Sequence, residues 1–315
     1  MTASAGIHHV TAICSDPRKN VAFYTHDLGL RLVKKTVNFD DPGTWHLYYG
    51  DETGRPGTAL TFFAWDQSSP GRNGNGMATE TAFVIPEGSL GYWTHRLVVE
   101  DIAHDALEKR FGESVLPLRD PDGMRLALVA VKGAEQIAGW SNGEVPPEHA
   151  IRGFHGVTLM VDAGEPTAQV LTRTLGFTAD RRDGNLARFR AAGGRLGQAF
   201  LGQVVDVRTA EGFPAGRQGA GSVHHVAFRA AHDTAQTQMA ATLAAQGLHP
   251  TDQRDRCYFR SVYFKEPGGV LFEIATDDPG FTLDEPKDTL GSAIKLPPWF
   301  ESRRADIELA LPPLA

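Results

Sequence analysis

Two histidine pairs and one carboxylate stand out as residues that could do chemistry in this chain. His8 and His9 lie in GIHHVTAI, His224 and His225 in SVHHVAF, and Glu273 ends PGGVLFE. Each stretch alternates or runs apolar with Val, Ile, Phe and Thr, as a β-strand does. Two neutral imidazoles and a carboxylate form a divalent-metal set. With three protein ligands the remaining coordination positions stay open to substrates. The same donors suit non-heme Fe(II) or a catalytic zinc, so the residue types alone do not choose the metal.

An internal repeat singles these residues out. A unit starting GIHHVTAI at Gly6 reaches DLGL at Asp27, and GFHGVTLM at Gly153 reaches TLGF at Thr174 with the same spacing. A third start is SVHHVAF at Ser222, and a weaker copy opens with TETAFVIP at Thr79. Each unit reads as a strand, an amphipathic helix and further strands, the last entered by a Pro-Gly-type turn. In the first helix Asp16 caps, Pro17 takes the first turn and Gly29 supplies the stop. The pattern is βαβββ four times over, at about residues 6–65, 77–132, 151–203 and 221–277, which predicts an α+β fold of four modules.

Residues 1–132 form an N-terminal half with modules one and two, 133–150 a Gly- and Pro-rich connector, and 151–277 a C-terminal half with modules three and four. Residues 278–315 are an extension with no repeat partner, expected to pack across the second half. Equivalent positions can now be compared. His9 and His225 align with Gly156, and Glu273, counted from its Pro-Gly turn, aligns with Phe62 and Ala127. A position that holds Gly, Phe or Ala elsewhere has no need of His or Glu for the fold. Phe62 is therefore expected at the cavity wall without binding the metal. Glu80 falls near the ligand position of module two and reads as a solvent or loop residue.

The composition sets outer limits. In 315 residues the formal charge is −7 and there are two cysteines, Cys14 and Cys257. The acidic balance argues against a nucleic-acid partner, and no apolar run approaches a membrane span. Two cysteines make no disulfide framework and lack the partners of a nucleophile. The N-terminus shows no secretory pattern, so a cytoplasmic location is expected.

Longer motifs carry a resemblance. FYTHDLGLRLVKKTVNFDDP at Phe23, WHLYYGDETGRPGT at Trp45, IPEGSLGYW at Ile85, RGFHGVT at Arg152, DRCYFRSVYFKEPGGVLFEIATDDPGFTLDE at Asp255 and LGSAIKLPPWF at Leu290 join the two HHV stretches. Together they resemble the ring-cleaving dioxygenases of the vicinal-oxygen-chelate (glyoxalase) superfamily, most closely the hydroquinone-type branch. The resemblance implies modules one and four facing each other across one Fe(II) held by His9, His225 and Glu273, with Mn, Ni or Zn as other occupants. It implies a small aromatic substrate and O₂ meeting at that ion, and a ring opened beside a hydroxyl-bearing carbon. It also implies roles for Tyr263, Arg256, His8, His224 and Thr11. No nucleic-acid or membrane partner is expected, and a homo-oligomer is left open. A glyoxalase-type lyase or isomerase and a metal-free small-molecule-binding resistance protein remain competing functions.

Strand parity qualifies those roles. Alternation turns His8 and His224 away from the faces of His9 and His225, unless a bulge at the strand start reverses one of them. Thr11 shares its face with His9. Counting from the turn at Gly268 sets Tyr263 opposite Glu273, and His46 is expected near the cavity wall.

Overall fold

A computed structural model describes residues 4–66, 68–140, 144–191 and 201–314. Module one runs through β1 (Ile7–Cys14), α1 (Pro17–Ala22), β2 (Arg31–Asn38), β3 (Asp41–Gly50) and β4 (Ala59–Ala64). Module two has β5 (Met77–Pro86), α2 (Leu90–Val99), β6 (Glu108–Arg110), β7 (Glu113–Arg119) and β8 (Arg125–Val131). Module three has β9 (Gly153–Val161), α3 (Gly164–Arg173), β10 (Phe177–Asp183), β11 (Leu186–Ala191) and β12 (Val204–Thr209). Module four has β13 (Ser222–Ala230), α4 (Asp233–Ala245), β14 (Arg254–Asp255), β15 (Arg260–Lys265) and β16 (Leu271–Thr276). A last helix, α5, covers Arg304–Ala310.

The strands make two eight-stranded sheets, and each sheet draws on both halves of the sequence. One has the order β14-β15-β16-β13-β1-β4-β3-β2 and joins modules four and one. The other has the order β10-β11-β12-β9-β5-β8-β7-β6 and joins modules three and two. The seam of each is an antiparallel pair of opening strands, β1 with β13 and β5 with β9. The two residues most needed for a shared metal thus come to lie on neighbouring strands, although most of the chain separates them.

Local chemistry builds module one as the sequence anticipates. Asp16 accepts from the backbone N–H groups of Arg18 and Lys19 at 2.9 and 3.2 Å, capping α1. The helix widens into a π turn over Phe23–Asp27, and Gly29 ends it in the left-handed region at φ 65°. Val10 and Ala12 face this helix within the main core. His9 and Thr11, on the alternate face, point to the cavity.

The extension touches the second half, where the Tyr258 hydroxyl donates to Asp284 at 2.9 Å and the Gly280 N–H donates to the Tyr258 carbonyl at 2.8 Å, but it also runs along module one, which was not expected. Ile294 forms a parallel bridge with Lys35, and Trp45 Nε1 donates to the Pro312 carbonyl at 2.7 Å. The reason is charge held inside β2. Lys34 is fully buried and finds its carboxylates in Asp284, at 2.6 Å, and Glu285. Arg31 Nη2 donates to the Lys287 carbonyl at 2.8 Å. No helix among the described residues is long and apolar enough to cross a membrane.

Candidate metal centre

His9 on β1, His225 on β13 and Glu273 on β16 meet at one point of the first sheet. One donor atom from each lies within 4.8 Å of the others. Glu273 Oε2 is 2.9 Å from His225 Nε2 and 3.3 Å from His9 Nε2. That oxygen is buried and has no hydrogen-bond partner, while Oε1 accepts from Ser261 Oγ at 2.5 Å. A buried carboxylate oxygen left unpaired between two imidazole nitrogens is costly unless a cation completes the group. The three side chains therefore fit a divalent metal, with His9 and His225 offering Nε2 and Glu273 offering Oε2.

Both candidate ligand histidines are braced in the same way. His8 Nδ1 lies 2.9 Å from His9 Nδ1, and His224 Nδ1 lies 2.8 Å from His225 Nδ1. Were the Nε2 lone pairs of His9 and His225 to hold an ion, their Nδ1–H groups would donate outward to the neighbouring Nδ1, which would set tautomer and ring orientation. Simple alternation would have sent His8 and His224 away. The register explains the difference. Ile7 and His9 face Phe228 and Ala227, so His8 is an extra residue in β1. Thr11 and Ala12 face His225 and Val223, so His224 is an extra residue in β13. Each pair sits on a β-bulge, which re-aims a side chain.

Burial governs the protonation of these rings. It lowers His8 and His225 below the usual imidazole range, and lowers His224 to about 3. Neutral rings keep their lone pairs for a metal or a neighbour. Burial alone would raise the Glu273 carboxyl, but His9 and His225 outweigh it and hold it well below the carboxylate range. The set thus keeps Glu273 as an anion and leaves the His225 ring its lone pair.

The wall around the three ligands is aromatic and largely neutral. Tyr263 lies directly opposite Glu273 across the β15–β16 pair, and its ring meets His225 edge to face at 5.7 Å. Arg256 Nε donates to the Tyr263 hydroxyl oxygen at 3.2 Å, which leaves the phenol O–H free to donate. Burial raises the Tyr263 phenol above its ordinary value, so it keeps its proton. Phe259 covers His9 at 4.8 Å. Arg256 and Phe259 stand on the tight β14–β15 connection, where Cys257 adopts a positive φ of 64°. Burial pushes the Cys257 thiol up to about 12, far from a nucleophile's range.

Phe62 stands elsewhere than the Pro-Gly alignment placed it. It is fully buried on the helix side, 4.7 Å from the Tyr24 ring and 6.0 Å from that of Tyr49. Thr11 pairs with Thr61, whereas Ala227 pairs with Glu273, so the counterpart of Glu273 in module one is Thr61. The module-four turn, Pro267-Gly268-Gly269, is one residue longer than Pro56-Gly57, and a one-residue slip turns a strand side chain to the other face. Thr61 Oγ1 lies 2.9 Å from both Thr11 Oγ1 and His46 Nε2, and His46 Nδ1 lies 2.9 Å from the Tyr48 hydroxyl. His46 does line the cavity. Thr61 and Tyr48 carried no sequence signal, since only the β3–β4 register brings them there.

The second sheet carries the same pair of bulges without the metal set. Thr79 is extra in β5 and His155 in β9. Glu80 then matches His9, Gly156 matches His225, and Asp206, paired with Thr158, matches Glu273. Glu80 is thus a buried strand residue and not a loop residue. It pairs with Arg110. Arg188 fills the centre. Its Nε and Nη2 donate to the two Asp206 oxygens at 2.8 Å each, and Nη1 reaches Glu113.

Residues 6–128 match the model of the Glyoxalase/Bleomycin resistance protein/Dioxygenase superfamily. A Bacillus subtilis (strain 168) protein named "Putative ring-cleaving dioxygenase MhqO" is 42% identical over 308 residues, 98% of this chain and 96% of its own. The chain belongs to that superfamily and to its ring-cleaving dioxygenase branch. Within this branch, the chlorohydroquinone/hydroquinone 1,2-dioxygenase of Sphingobium indicum is 34% identical over 310 residues, 96% of this chain and 94% of its own. A crystal structure of a Bacillus subtilis protein named "putative dioxygenase" superposes with a TM-score of 0.94 at 41% identity. It covers 100% of this chain and 99% of that one. The two curled sheets with sparse helices are the fold of the superfamily.

Proposed function

We propose that the protein opens the ring of a hydroquinone or a related dihydroxylated aromatic with O₂, using Fe(II) held by His9, His225 and Glu273. The observation that carries this reading is the module-one counterpart of Glu273. It is Thr61, a neutral side chain already engaged by Thr11 and His46, so among the described residues three donors would face the ion and its other positions would stay open. The hydroquinone dioxygenase relative points to the same substrate class. Bound there, Fe(II) would supply the electron exchange that lets O₂ react with an aromatic ring. Among divalent ions, Mn, Ni and Zn fit the same donors.

The protein's own part is positioning. Phe39, Phe63 and Phe259 offer flat apolar faces to a ring. His8 and His224 fix the ligand rings, and Thr11, on the cavity wall, is bonded to Thr61. Tyr263 aims a neutral donor at the point where negative charge grows as O₂ is reduced, and Arg256 orients it. We place the enzyme in the cytoplasm, where Cys14 and Cys257 stay as free thiols.

Oxygen uptake by the iron-loaded protein, with hydroquinone and catechol, tests the reaction. Consumption of O₂ with loss of the aromatic absorbance supports it. Isomerase activity on a hemithioacetal without O₂ uptake would replace it. Tyr263→Phe is expected to lower kcat about ten- to a thousand-fold with iron content nearly unchanged. A wild-type rate, or loss of iron, would remove Tyr263 from this role.

A further inference from the structure

Among the described residues lining the cavity, Arg256 is the one permanent cation, and it is already answered. Its Nη2 donates to Asp40 Oδ2 at 2.9 Å. The Arg256 side chain is only 15% exposed, whereas that of Asp40 is 63% exposed. Asp40 belongs to the turn between β2 and β3, where its N–H donates to Asn38 Oδ1 at 3.0 Å. Beside it, Phe39 meets Trp299 of the C-terminal extension edge to face at 5.7 Å. One ion pair and one aromatic pair therefore hold this turn over the mouth of the site.

With the mouth held in this way the cavity encloses about 30 Å³. A benzene-sized ring occupies a cavity of about 150 Å³. The space is narrow and both side chains line it, so a ring that binds there meets Arg256 and Asp40 together.

We propose that Asp40 sets the charge specificity of the site, so that the pocket takes uncharged dihydroxylated rings and rejects rings bearing a carboxylate. A half-buried guanidinium in an aromatic pocket would otherwise grip a ring carboxylate through its two-pronged donor fork. Asp40 occupies part of that fork and places a like charge beside any incoming carboxylate. Repulsion of that kind discriminates between substrates whose rings are otherwise alike. The inference deepens the proposed function and rests on its reading of this cavity as the place where the ring binds.

The test compares hydroquinone with 2,5-dihydroxybenzoate, which is the same ring carrying one carboxylate. Binding of each to iron-loaded protein is measured by calorimetry without air, for the wild type, Asp40→Asn and Asp40→Asn/Arg256→Gln. Oxygen uptake is then followed in air. We expect Asp40→Asn to raise the affinity ratio of 2,5-dihydroxybenzoate to hydroquinone by about ten- to a hundred-fold. The double variant should lose that gain, and kcat/KM ratios should follow the affinity ratios. A ratio unchanged in Asp40→Asn, or a gain that persists without Arg256, overturns the proposal. Failure of the wild type to consume O₂ with hydroquinone overturns the ring-cleavage reading, and the binding ratios still decide the role of Asp40.

Discussion

Glu273→Gln should lose metal and activity together while the fold survives. The amide keeps the shape of the carboxylate, and Ser261 can still bond the position of Oε1. It removes the one anionic donor of the set. A bound ion supplies several kcal/mol of transition-state stabilisation, so turnover should fall by more than about a thousand-fold. The thermal midpoint of the metal-free variant should equal or exceed that of the metal-free wild type, because a fully buried carboxylate with an unpaired oxygen is gone. Iron quantification, oxygen uptake and a melting curve on the same sample check all three. Retention of stoichiometric iron by Glu273→Gln would show that the carboxylate is not a ligand.

Arg188→Met should do the opposite, costing stability and sparing the metal. Arg188 is almost fully buried, bonded through two nitrogens to Asp206 and through a third to Glu113, with its guanidinium carbon 4.4 Å from the centre of the Phe111 ring. Glu113 also lies 3.2 Å from His155 Nε2. Methionine fills part of the volume but leaves Asp206 without its cation. Removing one member of a buried pair costs about 3–5 kcal/mol. Denaturant unfolding should show a loss in that range, with iron content per folded molecule unchanged. Arg188→Met/Asp206→Leu should recover much of it, since the carboxylate that the single variant strands is then gone as well. A single variant as stable as the wild type would mean that water reaches this centre.

The repeat made the ligands legible. His9, His225 and Glu273 could be chosen because the chain supplies its own comparison at Gly156 and Ala127. Those residues need only correct spacing from a strand start or a turn, which a sequence displays. Phe62 shows where spacing fails. Two turns of similar composition differ by one residue, and in a strand that difference exchanges inside for outside. His8 and His224 raise the complementary problem. Parity was sound until a bulge reset it, and the bulge shows only in the pairing of β1 with β13. Asp206, Arg188 and Thr61 had no local signature, since a buried ion pair and a hydroxyl chain are products of register. Asp40 and Arg256 stand 216 residues apart, and no periodicity links a turn in module one to a loop in module four.

The guanidinium at the heart of the second sheet has a consequence for a cell short of metal. The molecule contains two chambers of one design, one whose donors fit a cation that must be acquired and one filled by a cation that the chain supplies. Chelation can empty only the first. Hydrogen exchange after chelation should therefore quicken along β1, β13 and β16 and stay slow along β5, β9 and β12. Half of the molecule then remains a rigid template when the ion is gone, and β1 and β13 stay registered beside it through their own backbone ladder. On the proposed metal reading, the demetallated protein is expected to persist and to be open to recharging.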